Sequence, residues 1–296
     1  MQANAGYKIV RLKNGAQSVH SLAHLETFHP VIGPVAEAEA LYVNQLRLAE
    51  RFENCRGEFV VWDVGLGAAA NALTVLRTLC RVPGSIRLVS FDATLEPLQF
   101  ALEWAAELGY LDGYTNQLRA LISDKRVRWV AGQTTVDWQL CLGDFPALLR
   151  TAAARSLPKP HAILFDAYSP ARNPAMWTQP LFSDLFKLLA PERPCALATY
   201  SRSTMLRVSL LLAGFFVGSG HATGEKEQTT IAANTLDLIS EPLPHAWLRR
   251  ARKSTGSEPL WEPIYRQAQL TPTTWDRLQQ HPQFRDFAPN ASLNSI

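Results

Sequence analysis

Cysteine is scarce and scattered. The four cysteines, Cys55, Cys80, Cys141 and Cys195, form no C-x-x-C pair and have no histidine at ligand spacing. Neither a metal site nor a disulfide framework is expected. Three of them lie in or beside apolar runs, which suits free thiols in a reducing cytoplasm. Long hydrophobic runs are also missing. The opening MQANAGYKIVRLKNG holds no apolar stretch to serve as a signal sequence. The longest apolar run of the C-terminal half, residues 210–217, is far too short to cross a bilayer. We therefore expect a soluble, cytoplasmic protein with no membrane partner. Charge is thin: 19% of residues are charged and the net charge is +3, which neither demands nor excludes nucleic acid. No G-x-x-x-x-G-K-[ST] occurs, which argues against a P-loop nucleotide, and no clear G-x-G-x-x-G supports a nicotinamide dehydrogenase.

Apolar side chains are plentiful. They make up 47% of the 296 residues and include eight tryptophans and thirteen phenylalanines. That composition fits one well-buried core near the upper size limit of a single domain. Basic residues are uneven: Lys125, Arg126 and Arg128 form one cluster, and Arg249, Arg250, Arg252 and Lys253 another. Each is either a solvated surface or a phosphate-contacting patch.

The clearest landmark is GEFVVWDVGLGAAANALTVLRTLC, residues 57–80. Residues 59–64 read as a buried strand, Gly65 and Gly67 as a turn, and the Ala- and Leu-rich remainder as a helix. Strand, glycine turn and helix open a nucleotide-binding α/β fold. A second strand, 86–91, ends at Asp92, and a helix follows from Pro97 to about Leu108, stopped by Gly109. Residues 127–130 are a third strand candidate, and the division of 127–142 between strand and loop stays open. Strands at 162–165 and 195–200 follow, with helices at about 179–189 and 204–213. An arm at 220–227 and a late strand at 229–233 come next. Residues 36–52 read as one helix, and a short helix is expected near 272–280. The alternation implies a mostly parallel sheet with helices on both faces. We divide the chain into an N-terminal extension (1–56), a Rossmann-like core (57–240) and a C-terminal extension (241–296).

In such a sheet, ligands bind beyond the carboxyl ends of the strands. Asp63, Gly65, Gly67, Asp92, Asp144 and Asp166 all fall there. The glycines allow close approach of the backbone to a ligand, although GLGAAA alone fits several nucleotide classes. Asp92, about 25 residues past Gly67, suits a ribose diol, as NAD would also require. The D-x-G-x-G form, with Asp63 inside it, and the further acid Asp144 favour S-adenosylmethionine instead. Asp63 would meet the cationic methionine end, and Asp144 the adenine amino group; a plain helix cap is the other reading of Asp144. Asp166 ends a buried strand and leads into Tyr168, Ser169 and Pro170. A sulfonium methyl donor needs an in-line nucleophile, and a carboxylate orients an amine through its N–H. Asp166 takes that role here and Tyr168 lines the acceptor pocket; capping of the next turn is the alternative for Asp166.

The segment LFDAYSPARNPAMWTQPLFSDLFKLLAPERPCALATYSRSTMLRVSLLLAGF, residues 164–215, resembles the MnmC-like methyltransferase family, whose D-x-F/Y-x-P, K/R-N-P-x-M/L-W and A-T-Y/F-[ST] stretches it repeats in order. VWDVGLGAAANALTV (61–75), WQLCLGDFPALL (138–149) and ETFHPVIGPVAEAEALYV (26–43) are also similar to it, so the resemblance covers residues 20–235. It implies a class I methyltransferase fold, S-adenosylmethionine as cofactor and tRNA as partner, the acceptor being the 5-aminomethyl group of wobble (2-thio)uridine. It places the cofactor against Gly65, Gly67, Asn71, Asp92, Asp144 and Asp166. Asp166 and Tyr168 would be catalytic, with Glu26, His29, Pro170 and Lys226 beside the substrate. His29 and Lys226 read as readily as structural or solvated residues. Two departures stand out: Ala68-Ala69 replaces the usual Thr-Gly, which requires a negative φ, and Asp92 replaces a glutamate. The family's bifunctional form carries a flavin-dependent oxidase; nothing after residue 235 is long enough for one, so neither flavin nor metal is expected. Two rivals remain, a methyltransferase of small amines and a non-catalytic RNA-binding protein on the same fold.

Overall fold

A computed structural model describes residues 6–222 and 228–285. Its centre is an eight-stranded sheet. The first three strands of the chain, β1 (Tyr7–Arg11), β2 (Gln17–Ser21) and β3 (Glu26–Thr27), form a separate antiparallel sheet. The central sheet comprises β4 (Glu58–Val64), β5 (Gly84–Asp92), β6 (Arg126–Ala131), β7 (Thr134–Leu142), β8 (Ala162–Phe165), β9 (Ala196–Thr199), β10 (Phe216–Gly220) and β11 (Thr229–Ala233). Their spatial order is β10-β11-β9-β8-β4-β5-β7-β6. The five inner strands β9, β8, β4, β5 and β7 run parallel, and β6, β11 and β10 are antiparallel to their neighbours. This is the mostly parallel, helix-covered architecture expected from the alternation.

Strand β4 shows why both faces must be covered. Phe59 and Val61 enter one hydrophobic cluster, while Val60, Trp62 and Val64 enter the other. The period of two sends alternate side chains to opposite faces. The first cluster takes in the N-terminal helical segment and helix Ala70–Leu79. The second takes in helices Gln179–Leu188 and Thr204–Ala213. It also holds Trp247, Leu248, Leu260, Leu278 and Phe284, so the segment after residue 240 packs on the same core as the sheet. Gln283 stitches this segment to β10, accepting from Val217 N at 2.8 Å and donating to Val217 O at 2.8 Å.

Local structure departs from expectation at several points. The 36–52 helix is three pieces, Pro34–Ala38, a π-helical turn Glu39–Asn44 and Leu48–Glu53. Gln45 N donates five residues back to Ala40 O, and Arg47 breaks the run at φ +50° while its guanidinium grips Glu50. The 97–108 helix is interrupted at Trp104, and Gly109 ends it at φ +69° as read. Residues 126–142 are a hairpin, with β7 fully inside the sheet and β6 at its edge. The sheet β1–β3, the strand β10, and the helices Thr115–Asp124 and His245–Lys253 have no counterpart in the sequence reading. All four cysteines are free. No helix among the described residues is long and apolar enough to cross a membrane.

Candidate active site

The carboxyl ends of β4, β5 and β8 open into one cavity of about 600 Å³, a size usual for cofactor and small-molecule sites. Residues 24–30 of the N-terminal sheet form its opposite wall.

The glycine turn is shaped by close approach. Gly65 has φ +92°, and a β-carbon there would lie 2.5 Å from the Asp166 carbonyl oxygen. Only glycine fits between β4 and β8 at this point. Gly67, at φ +52°, donates its N–H to Asp92 Oδ2 at 2.8 Å, and Thr94 N–H reaches Oδ1 at 3.2 Å. Burial pushes the Asp92 carboxyl up, and these backbone donors pull it back. Each oxygen keeps acceptor capacity on the cavity side. Asp144 caps helix Phe145–Leu149, accepting from Ala147 N at 3.1 Å, and also lines the cavity.

Ala69 corrects the reading of the loop. It stands at φ +64°, the left-handed region, at the start of helix Ala70–Leu79. The alanine thus occupies a glycine-type conformation instead of avoiding it. Its neighbour Ala68 accepts from the buried Tyr110 hydroxyl at 3.1 Å.

Asp63 needs a second correction. It is fully buried and does not line the cavity. Its Oδ2 accepts from Ser90 Oγ at 2.8 Å, and Ser90 Oγ in turn accepts from Trp138 Nε1 at 2.9 Å. With Oδ1 unpartnered among the described residues, burial raises its pKa to about 7. In a parallel strand the side chain one residue before the end points into a face and not off the edge. Asp63 therefore props the floor under the turn and does not touch the cavity. Pro170 is likewise not among the cavity-lining residues, although Ser169 before it is. Lys226 lies outside the described residues.

Asp166 is the hub of the other half. Its side chain is 18% exposed. Asn71, on the first turn of helix Ala70–Leu79, donates Nδ2–H to Asp166 Oδ2 at 2.7 Å. His29 Nε2 stands 3.7 Å from the same oxygen, and His29 Nδ1 is 4.0 Å from Glu37 Oε1. These spacings exceed a hydrogen bond, yet they place a buried imidazole between two carboxyl groups. Glu26 ties the arm to the loop after β8: Ser169 N–H donates to its Oε2 at 3.1 Å and Ser169 Oγ–H to its Oε1. Tyr168 is sandwiched by the arm, with the His24 ring stacked at 3.9 Å and Phe28 edge-on at 5.7 Å. Burial raises the Tyr168 phenol well above its ordinary value. Tyr200 lines the cavity and donates to Ala167 O at 2.9 Å.

The structure thus brings Gly65, Gly67, Asn71, Asp92, Asp144, Asp166, Tyr168, Glu26 and His29 to one cavity. Sequence reasoning missed Glu37, Ser169 and Tyr200. All three lie inside segments quoted for the resemblance, where the only signal was polar residues flanking a recognised one.

Residues 109–235 match the family described as S-adenosyl-L-methionine-dependent methyltransferase. The match includes Asp144 and Asp166 and starts after the glycine turn. Over this stretch the chain is similar to the S-adenosylmethionine-dependent methyltransferases. As a methyltransferase it is 28% identical over 230 residues to the tRNA 5-methylaminomethyl-2-thiouridine biosynthesis bifunctional protein MnmC of Methylibium petroleiphilum, covering 75% of this chain and 34% of that protein. Against the MnmC of Cupriavidus necator the figures are 27% over 241 residues, 76% and 35%. The methyltransferase therefore spans about a third of the length of these relatives. Its fold is similar to the crystal structure of MNMC2 from Aquifex aeolicus, with a TM-score of 0.68 at 22% identity, over 93% of this chain and 85% of that one.

The cavity suits the cofactor this methyltransferase family uses. Gly65 and Gly67 let the turn pack closely against Asp166 and Phe28, and Asp92 lines the cavity beside them. No group of His, Cys, Asp and Glu able to hold a metal ion occurs among the described residues.

Proposed function

We propose that this methyltransferase acts on the nitrogen of a 5-aminomethyl group on wobble (2-thio)uridine in tRNA, using S-adenosylmethionine and neither metal nor flavin. The observation that carries this reading is the Asp166 carboxylate. It stands in the same cavity as the glycine turn, with Oδ2 held by Asn71 and no described residue on Oδ1. The relatives' name supplies the acceptor.

When bound, the cofactor supplies a methyl group on a positively charged sulfur. The protein's part is placement and proton management. Asp92, the glycine turn at Gly65 and Gly67, and Asp144 would hold the nucleoside end. Asp166 Oδ1 accepts an N–H of the neutral amine and aims its lone pair at the methyl carbon. Accepting the methyl group, with the neutral thioether as leaving group, would make the nitrogen cationic. The carboxylate offsets that charge. The surplus proton then leaves through Asp166 to solvent. Asn71 fixes the carboxylate rotamer throughout, and Tyr168 with Tyr200 walls the acceptor.

The test is transfer of a labelled methyl group to tRNA carrying 5-aminomethyl-(2-thio)uridine, followed by nucleoside mass spectrometry. A gain of one methyl on that nucleoside is expected. Cofactor binding without transfer to any tRNA would overturn the substrate assignment.

A further inference from the structure

The two basic clusters have different fates. Arg126 and Arg128 project from the same face of edge strand β6, and both are held by Asp137, which Arg87 also meets at 3.2 Å. Arg249, Arg250, Arg252 and Lys253 lie on helix His245–Lys253, exposed, and form no ion pair among the described residues. That helix buries Trp247, Leu248 and Ala251 against the core, so its outer face is almost wholly cationic.

The chain beyond this helix carries exposed aromatics. Trp261 is 39%, Ile264 57% and Tyr265 42% exposed. Trp261 is set in place on a second hollow: its Nε1–H donates to Glu258 Oε1 at 3.0 Å, and Arg277 lies over its ring at 5.8 Å. Glu258 also accepts from Thr271 N at 2.9 Å and Thr274 Oγ1 at 2.8 Å, which anchors the hollow to helix Pro272–Gln279. Arg252 stacks on Trp275 of that helix at 4.7 Å, joining the cationic helix to the aromatic segment. The surface also adjoins the active site. Leu260 bridges to Thr178, and Gln179 N–H donates to Leu260 O at 2.8 Å. Asn173 and Met176, a few residues before that bridge, line the catalytic cavity.

We propose that this ledge, residues 249–277, docks single-stranded RNA next to the acceptor nucleotide. Unpaired bases stack on Trp261 and Tyr265, while Arg249, Arg250 and Lys253 contact phosphates. Preset aromatic faces beside unpaired cations are the means by which proteins hold unpaired RNA. The inference rests on the acceptor being RNA, as proposed above.

Full-length protein is titrated with tRNA at several salt concentrations, beside two variants, Trp261→Ala/Tyr265→Ala and Arg249→Gln/Arg250→Gln/Lys253→Gln. Arg252 is left in place because it packs on Trp275. Each variant should weaken tRNA binding roughly 10-fold with cofactor affinity unchanged. The triple variant should flatten the slope of log affinity against log salt by about 2–3. Trp261→Phe, which keeps a stacking face, should restore most of the aromatic loss. If the parent methylates tRNA and both variants bind it with parental affinity and slope, the ledge is not the docking surface. If the parent itself neither binds nor methylates RNA, the substrate reading fails and the ledge falls with it.

Discussion

The two walls of the cavity are built by different means. On the proposed cofactor side, Gly65, Gly67, Asp92 and Asp144 sit at strand ends and turns, and their partners are backbone groups a few residues away or on the adjacent strand. On the proposed acceptor side, Glu26 meets Ser169 across 143 positions and Asn71 meets Asp166 across 95. The first wall follows from any chain that forms the sheet. The second joins elements far apart in the chain, the N-terminal arm through Glu26 and the helix after β4 through Asn71. Cofactor binding and acceptor recognition should therefore be separable by mutation.

The largest effect is expected at the junction of the two walls. Asp166→Asn should slow single-turnover methyl transfer by roughly 10²–10⁴-fold while calorimetric cofactor affinity stays within a few-fold. Parental turnover would remove Asp166 from the chemistry. Beneath the cofactor wall, the Asp63 carboxyl has a folded pKa of about 7 against 3.8 when unfolded. A raised pKa means the folded state binds the extra proton, so stability is greatest below the lower value and is lost as pH climbs through the upper one. The stability of Asp63→Asn relative to the parent should therefore improve by roughly 3 kcal/mol between pH 5 and pH 8. A flat difference in denaturation profiles would contradict a buried carboxyl at this place.

Asp92→Ala should weaken cofactor binding roughly 10- to 100-fold through lost charge-assisted hydrogen bonds, without changing the acceptor KM in saturating cofactor. Glu26→Ala should do the reverse, raising the acceptor KM about 10-fold as Ser169 loses its anchor and leaving cofactor affinity alone. Should both variants move both constants, the two walls are one cooperative unit. The smallest effect belongs to Ala69→Gly, which relieves a left-handed alanine. It should stabilise the fold by about 1 kcal/mol or less, because glycine's greater unfolded entropy offsets part of the gain. A lower melting temperature would show that the Ala69 methyl packs usefully.

Much of the sheet was legible because its signals are local. A β-branched run ending in glycine at Gly65, and helices stopped at Gly109 and Gly214, declare themselves within a few residues. The sheet β1–β3 was not legible, since its strands are short, polar in part and paired only with one another. Division of residues 126–142 into a hairpin depended on which strand takes the sheet edge, a tertiary choice. The same limit hid Glu37 and Tyr200, whose importance lies in what stands opposite them.

Sequence alone determined the parallel α/β core and the acids at the strand ends, because strand periodicity and glycine turns are written in consecutive residues. The methyltransferase class came from its resemblance to a known family. Only the tertiary structure decided that Asp63 is buried under the floor, that Ala69 takes a glycine's conformation, and that Glu26 clasps Ser169. It also decided that Arg126 and Arg128 of one basic cluster share Asp137 while the other cluster forms no ion pair among the described residues. Burial and pairing depend on residues distant in the chain, and no local pattern encodes them.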